Sequence, residues 1–258
     1  MTAERLVAIN RTFYRRFASA FDETRTGAWP GWHRILDARP PRHVLDLGCG
    51  NGRFGRFLAS QHVDAAYEGW DDNAELLARA QTRMSHPGES AGRASAGDDA
   101  EAKGVRPLDR AVFREVDLLG PCWPSASADL VVLFGVMHHV PTFERRRALL
   151  QRALARVASG GRLVVCFWQF APEGEPRVAV APWAEAGIEP SDVDPGDFLV
   201  RWRRGGQGLR YCHHCRPADI DALVAHLDAD TVDHFKSDGA SGDLNMYVTL
   251  RPKHSRKP

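Results

Sequence analysis

No stretch of this chain is long and apolar enough to span a bilayer, so a membrane partner is not expected. The opening residues, MTAERLVAINRTFYRRF, interleave charge with apolar side chains and have no unbroken apolar core like that of a secretory leader. Cysteine is scarce: Cys49, Cys122, Cys166, Cys212 and Cys215 are odd in number and scattered, which argues against a disulfide framework and suits a reducing cytoplasm. Net charge is also missing. With 34 Lys and Arg against 33 Asp and Glu, the formal balance of +1 gives no overall pull toward nucleic acid, although a local basic patch remains open to it. There is no internal repeat at solenoid periods. What is present is 258 residues at 43% apolar content, enough for one sizeable core, and a single domain over 1–258 is the simplest reading.

An aromatic stripe (Phe13, Tyr14, Phe17, Phe21) runs along a helical opening, and Pro40 and Pro41 end this N-terminal cap, 1–40. Strand and helix signals then alternate. Strands are expected at His43 to Leu47, Ala65 to Trp70, Ala111 to Val116, Leu130 to Phe134 and Leu163 to Trp168. Helices are expected from Gly52, after Asn73, and over Leu149 to Val157, the last stopping at Ser159-Gly160-Gly161. Such alternation predicts an α/β fold with a doubly wound, Rossmann-like and mostly parallel sheet. Two stretches interrupt it. Residues 85–109 turn to Gly, Ser, Ala and charge and read as a flexible surface insertion. Residues 169–210, rich in Pro, Gly and Arg, form an insertion after the fifth strand on the substrate side. A helix near Pro217 to Leu227 and strands at Thr231 to Phe235 and Met246 to Leu250 complete a seven-stranded sheet with an antiparallel last strand.

His43 to Gly52, HVLDLGCGNG, is a strand running into a glycine-rich turn and a helix, so backbone amides approach a ligand where side chains would block it. The run Gly50 to Gly55 matches G-x-G-x-x-G, the dinucleotide fingerprint. The strand ends at Leu47, however, so the turn glycines are Gly48, Gly50 and Gly52, and Arg53 stands where the third dinucleotide glycine belongs. Asp46, at the end of a buried strand, needs a partner to offset its desolvation. The cationic methionine end of S-adenosylmethionine (SAM) supplies one where a pyrophosphate would repel it. Asp71, about 20 residues beyond the turn, is placed to accept both ribose hydroxyls. Asp117 can accept from the adenine amino group with Leu118 against the ring, or be a solvated loop acid. Phe134 ends the fourth strand at the carboxyl edge, where ligand and substrate meet in open α/β sheets.

VLDLGCGNGRF, GWDDN, DLVVLFGVMHHV and SGGRLVV, in that order and spacing, resemble the successive motifs of class I SAM-dependent methyltransferases. Neither [NDS]-P-P-[YF] nor a nucleophile cysteine follows the fourth strand, which argues against adenine-amino and pyrimidine-C5 chemistry. FDETRTGAWP, HHVPTFERRRALLQ, CFWQF and SGDLNMYVTL are similar to segments of the tRNA wobble-uridine carboxymethyl methyltransferases, including the domain fused to AlkB homologues. That resemblance implies methyl esterification of a 5-carboxymethyl group at the wobble base. A carboxylate with a pKa of about 4 is already the ionised nucleophile, so positioning and removal of water suffice.

Arg25 is the candidate to hold the acceptor carboxylate, because a guanidinium fork matches that anion, with a surface arginine as the plainer reading. His138 or His139 is a candidate to orient the acceptor, or to take a proton from a hydroxyl, against a satisfied loop histidine. Trp29 and Trp168 offer stacking surfaces, though aromatics of this kind are more often core. The stretch Arg201, Trp202, Arg203, Arg204 and Arg210 and the tail Arg251, Lys253, Arg256 and Lys257 suit phosphates or are solvated loop charge. The run Cys212-His213-His214-Cys215 lacks a second ligand pair, so no metal is expected, and a wall of the substrate site is the preferred reading. The partners expected are tRNA or a small-molecule acceptor, with a small activating protein as a further candidate. A small-molecule O- or N-methyltransferase and a non-catalytic SAM-binding subunit are the alternatives.

Overall fold

The computed structural model describes residues 2–85 and 110–253. The insertion expected at 85–109 lies outside them except for Ser85, which closes a helix, and so do Arg256 and Lys257 of the basic tail. Helices α1 (Thr2–Asp22) and α2 (Gly31–Ala38) lead into β1 (His43–Leu47), α3 (Arg53–Ser60), β2 (Ala66–Asp71) and α4 (Ala74–Ser85). Then come β3 (Ala111–Glu115), β4 (Ala128–Leu133), α5 (Phe143–Leu154) and β5 (Val157–Trp168). The chain continues through β6 (Val180–Ala181), β7 (Asp197–Trp202), β8 (Gly208–His213), α6 (Pro217–Ala225), β9 (Ala229–Ser237) and β10 (Asn245–Pro252). No helix among the described residues is long and apolar enough to cross a membrane.

Seven strands pair in the order β3-β2-β1-β4-β5-β10-β9; β1 to β5 are mutually parallel, and β10 runs antiparallel to both its neighbours. The central strands read as unbroken apolar runs because both faces of the sheet are covered. Leu45, Leu47, Val131, Leu133 and Val165 enter one core with α5 and α6. Val44, Leu130, Val132 and Val164 enter the other with α2 and α3. The strand order reverses between β1 and β4, and that reversal opens a crevice at the carboxyl ends of the strands. Asn73 caps α4 by accepting from the Leu76 amide at 3.0 Å, which fixes where the chain turns away from the crevice.

One expectation needs correction, and the insertion gains a sheet of its own. The helix before β5 ends at Leu154 rather than at Ser159-Gly160-Gly161, and Val157 already belongs to β5. Gly160 adopts φ +72°, and a Cβ on Gly161 would lie 2.8 Å from the Asp129 carbonyl oxygen, so these glycines serve an irregular β4–β5 pairing instead of a helix stop. The 169–210 insertion holds ordered strands: β6, β7 and β8 form a separate antiparallel sheet, and α1 packs on β8. Phe13 and Phe17 of the aromatic stripe bury themselves against Trp202 of β7. The N-terminal cap and the insertion thereby become one wall over the crevice.

Candidate active site

The crevice holds a cavity of about 420 Å³, lined by the β1 turn, the ends of β2 and β4, α1 and β8. Its size is that of a small-molecule site. The turn begins where the Gly48 and Cys49 amides donate to the Trp70 carbonyl at 2.7 and 3.0 Å. Gly48 sits at φ +77°, and a Cβ there would come within 2.3 Å of Val136, so only glycine lets the turn pass under the β4 loop. A Cβ on Gly50 would meet nothing within 4 Å, which leaves its backbone open toward the cavity. Gly52 differs from the expectation. It caps α3 and packs against Ala80 and Phe113 without lining the cavity, so its role is to seat α3 on α4 rather than to face a ligand.

Asp46 is 2% exposed, and one of its oxygens accepts from the Tyr67 hydroxyl at 2.6 Å. Burial pushes its pKa up to about 7, with Tyr67 and Arg53 pulling the other way. Asp71 has one oxygen on the Gly50 amide (2.8 Å) and the other on the Asn73 amide (3.0 Å), so both are aimed while each keeps a lone pair. Burial and the neighbouring Asp72 raise it to about 6. Asp117 accepts from the Leu119 amide and from Arg11 (2.6 Å) and remains partly exposed at the cavity rim. Leu118 and Phe134 line the same space.

These residues fit SAM. A zwitterionic aminoacyl end needs an acid and a base close together, and Arg53 lines the cavity and acts on the charge of Asp46. Desolvation lowers Arg53 to about 10, and its guanidinium lies 4.6 Å over Trp29 with one bond, to the Gly27 carbonyl. Among the described residues it has no acid partner.

The other end of the cavity is built differently. Arg25 lies 4.5 Å over the Phe21 ring and bonds only within Thr24, with no acid partner among the described residues. Burial, and then Arg210, lowers its pKa. His138 is 8% exposed with an unpartnered buried Nδ1. Burial holds its pKa well below the usual imidazole range. His139 is fully engaged: Nε2 faces the Tyr14 hydroxyl at 2.7 Å, and Nδ1 faces the Tyr211 carbonyl (3.1 Å) and Asn10 (3.2 Å). Burial and Arg210 lower His139 to about 3. Both rings are therefore neutral at pH 7. Trp29 and Trp168 line the cavity, Trp168 lying 5.1 Å from His138.

Sequence reasoning missed Arg210. The basic stretch it shares with Arg201, Arg203 and Arg204 suits phosphates or solvated loop charge, yet Arg210 is 7% exposed and enters the cavity among Phe13, Trp168 and Trp202, each ring 5.6 Å away, while Arg203 and Arg204 stay outside. Strand alternation was the available signal, because Arg210 and Cys212 of β8 turn toward one side and Tyr211 toward the other. Asp22 was also missed. It accepts from Asn51 of the turn (2.7 Å) and from Arg83 and Arg79 of α4, and Asn51 also holds the Arg25 carbonyl (3.2 Å), tying the end of α1 to the turn. The Cys212 to Cys215 run splits up: His213 bonds Asp197 at 2.6 Å, the Ala171 amide donates to His214, and Cys215 joins the core. The donor atoms of His138, His139 and Cys212 do lie within 4.8 Å of one another.

Residues 45–163 match the methyltransferase domain model. A putative methyltransferase of Encephalitozoon cuniculi is 28% identical over 78% of this chain and 77% of its own length. A trans-aconitate 2-methyltransferase of Mycobacterium ulcerans is 29% identical over 62% of this chain and 61% of its own. The mouse tRNA (carboxymethyluridine(34)-5-O)-methyltransferase is 27% identical over 62% of this chain, which spans only 20% of that protein. Among solved structures, the Synechocystis magnesium protoporphyrin IX methyltransferase with bound SAM superposes at a TM-score of 0.54, with 16% identity over 94% of this chain and 95% of that one; this likeness is one of fold. With its matching domain, its sheet order and a cavity that fits the cofactor, this chain carries a class I, SAM-dependent methyltransferase domain.

Proposed function

We propose that the chain methylates a carboxylate oxygen, giving a methyl ester, and that the acceptor is the 5-carboxymethyl group of a modified wobble uridine in tRNA. The observation that carries this reading is Arg25: a half-buried guanidinium on the cavity wall with no acid of its own among the described residues. Such a group leaves its desolvation uncompensated until an anion arrives, and a carboxylate fits its fork. Both the mouse and the mycobacterial relatives act, by their names, on acceptors that bear carboxylates. Bound SAM supplies an electrophilic methyl group. Arg25 holds one edge of the acceptor carboxylate and leaves an oxygen free to take the methyl in line, while Trp29 and Trp168 exclude water and offer a face to the base. No proton leaves in this step, which agrees with two histidines that stay neutral; His138 orients the acceptor through its free Nδ1, and His139 braces Tyr14.

A second reading, a compact free acid as acceptor, is favoured by the depth of Arg210, which lies where a small ligand reaches more easily than a polynucleotide does. Labelled methyl transfer to total tRNA and, in parallel, to a small-acid extract separates the two. Label in the tRNA supports the first, and label only in the acid fraction supports the second. The same assay on the lone chain shows whether a small activating protein is needed. A tRNA acceptor and five free thiols both suit the cytoplasm.

A further inference from the structure

The acceptor end of the cavity is charged on one side only. Arg25 and Arg210 both line it, and both act on the Tyr14 hydroxyl between the two aromatic groups that carry them, Phe21 beneath Arg25 and Phe13 and Trp202 beside Arg210. The carboxylates of the same cavity are committed elsewhere. Asp46 holds the Tyr67 hydroxyl, Asp71 holds the Gly50 amide of the turn, and Asp72 and Asp117 face Arg11. His138 and His139 add no charge at neutral pH. Arg210 is the deeper of the two guanidiniums, and its Nε is buried without a partner among the described residues, although its other end reaches Tyr14.

A monoanionic acceptor held by Arg25 would leave that second guanidinium in an aromatic cage with no counter-charge. Desolvating an unpaired cation is costly, so the arrangement is stable in the complex only if a second anion reaches it. We infer that the acceptor carries a second anionic group beside the carboxylate that is methylated, and that Arg210 holds it. This inference rests on the carboxylate reading above and narrows it to acceptors with at least two oxyanions. The shared chemistry is an oxyanion some distance from the reacting carboxylate, and it has two sources: another carboxylate of a compact acid, or a phosphate of the modified nucleotide. Trp168 lies 5.6 Å from Arg210 and 5.1 Å from His138, so one ring faces both the cage and the histidine side of the acceptor end.

The test uses the whole chain loaded with S-adenosylhomocysteine and measures binding of two matched pairs by calorimetry. One pair is propane-1,2,3-tricarboxylate against butyrate; the other is the 3′-phosphate of 5-carboxymethyluridine against its nucleoside. In at least one pair the polyanion is expected to bind about tenfold or more tighter, the size of one charge-assisted hydrogen bond. Which pair shows the preference identifies the source of the second anion. Arg210→Gln is expected to bring that ratio near one, Arg210→Lys to restore part of it, and Arg203→Gln on the exposed turn nearby to leave it unchanged. Equal binding within both pairs would overturn the inference, and so would an Arg210→Gln variant that weakens both members of a pair alike. Failure of the carboxylate reading is seen separately, as the absence of methyl ester in any product, and does not alter these binding ratios.

Discussion

The two ends of the cavity are made in contrasting ways. The cofactor end is built mainly on one continuous stretch, Asp46 to Asn73, whose glycines, acids and backbone amides satisfy one another across two adjacent strands, with Asp117, Leu118 and Phe134 added beside it. The acceptor end is assembled from α1, the β4 loop, β5 and β8, with side chains up to about 200 positions apart: Asn10 accepts from the Tyr211 amide at 2.8 Å, and Tyr14 meets His139 at 2.7 Å. The first end is acidic and the second basic. The lesson is that the cofactor end is a property of a local chain path, whereas the acceptor end exists only when the cap and the insertion dock on the sheet.

The comparison can be broken most severely at the turn. Gly48→Val forces a branched side chain into φ +77° and onto Val136, and SAM affinity by calorimetry should fall more than about 100-fold, if the turn forms at all. Next in size is Arg25→Ala. It should lower kcat/KM for the acceptor by about 100-fold while the SAM dissociation constant stays within about threefold, because one end is damaged and the other spared. An equal loss of SAM binding would move Arg25 to the cofactor end.

Asp46 sharpens the contrast through pH. Its folded pKa of about 7 lies above its unfolded value, so its contribution to stability is fully present below the unfolded value and is lost as pH rises through about 7. Asp46→Asn removes that loss. The unliganded variant should melt a few degrees higher at pH 8 while binding SAM at least about tenfold more weakly. Tyr67→Phe acts more gently on the same carboxylate. Losing the 2.6 Å hydroxyl donor raises the Asp46 pKa further, so the rise of SAM affinity with pH should move upward and affinity at pH 7 should drop by a few-fold. The smallest effect concerns the histidines. With His139 lowered to about 3 and His138 held low by burial, kcat for a carboxylate acceptor at saturating SAM should show no histidine inflection between about pH 5.5 and 7.5, the titrations of Asp46 and Asp71 entering through SAM affinity instead. An inflection there that vanishes in His138→Asn would instead show a histidine acting as a base.

The same division governs how much was legible in the sequence. All seven strands of the main sheet could be read from apolar runs and turn residues, and Asp46, Gly48, Gly50 and Asp71 followed from the place of the turn at the end of β1. That Gly52 stands outside the cavity lining was not legible, because a glycine needed for close helix packing looks the same in sequence as one that faces a ligand. The small sheet of the insertion escaped notice because β6 and β7 are short and separated by Pro- and Gly-rich turns that dilute the alternation. Arg210 sits in a basic stretch, and no local pattern shows that rings from α1, β5 and β7 will enclose it. Asp22 lies in the segment FDETRTGAWP, but nothing local to it shows that its three partners come from the turn and α4.

The central claim is that the atom methylated is a carboxylate oxygen, and the chemical stability of the product bond tests it most directly. Methyl label transferred from SAM by the chain to its acceptor should be released as methanol by mild alkali, as an ester requires. Label that survives alkali would mean transfer to an amine or a hydroxyl, and would contradict the role given to Arg25.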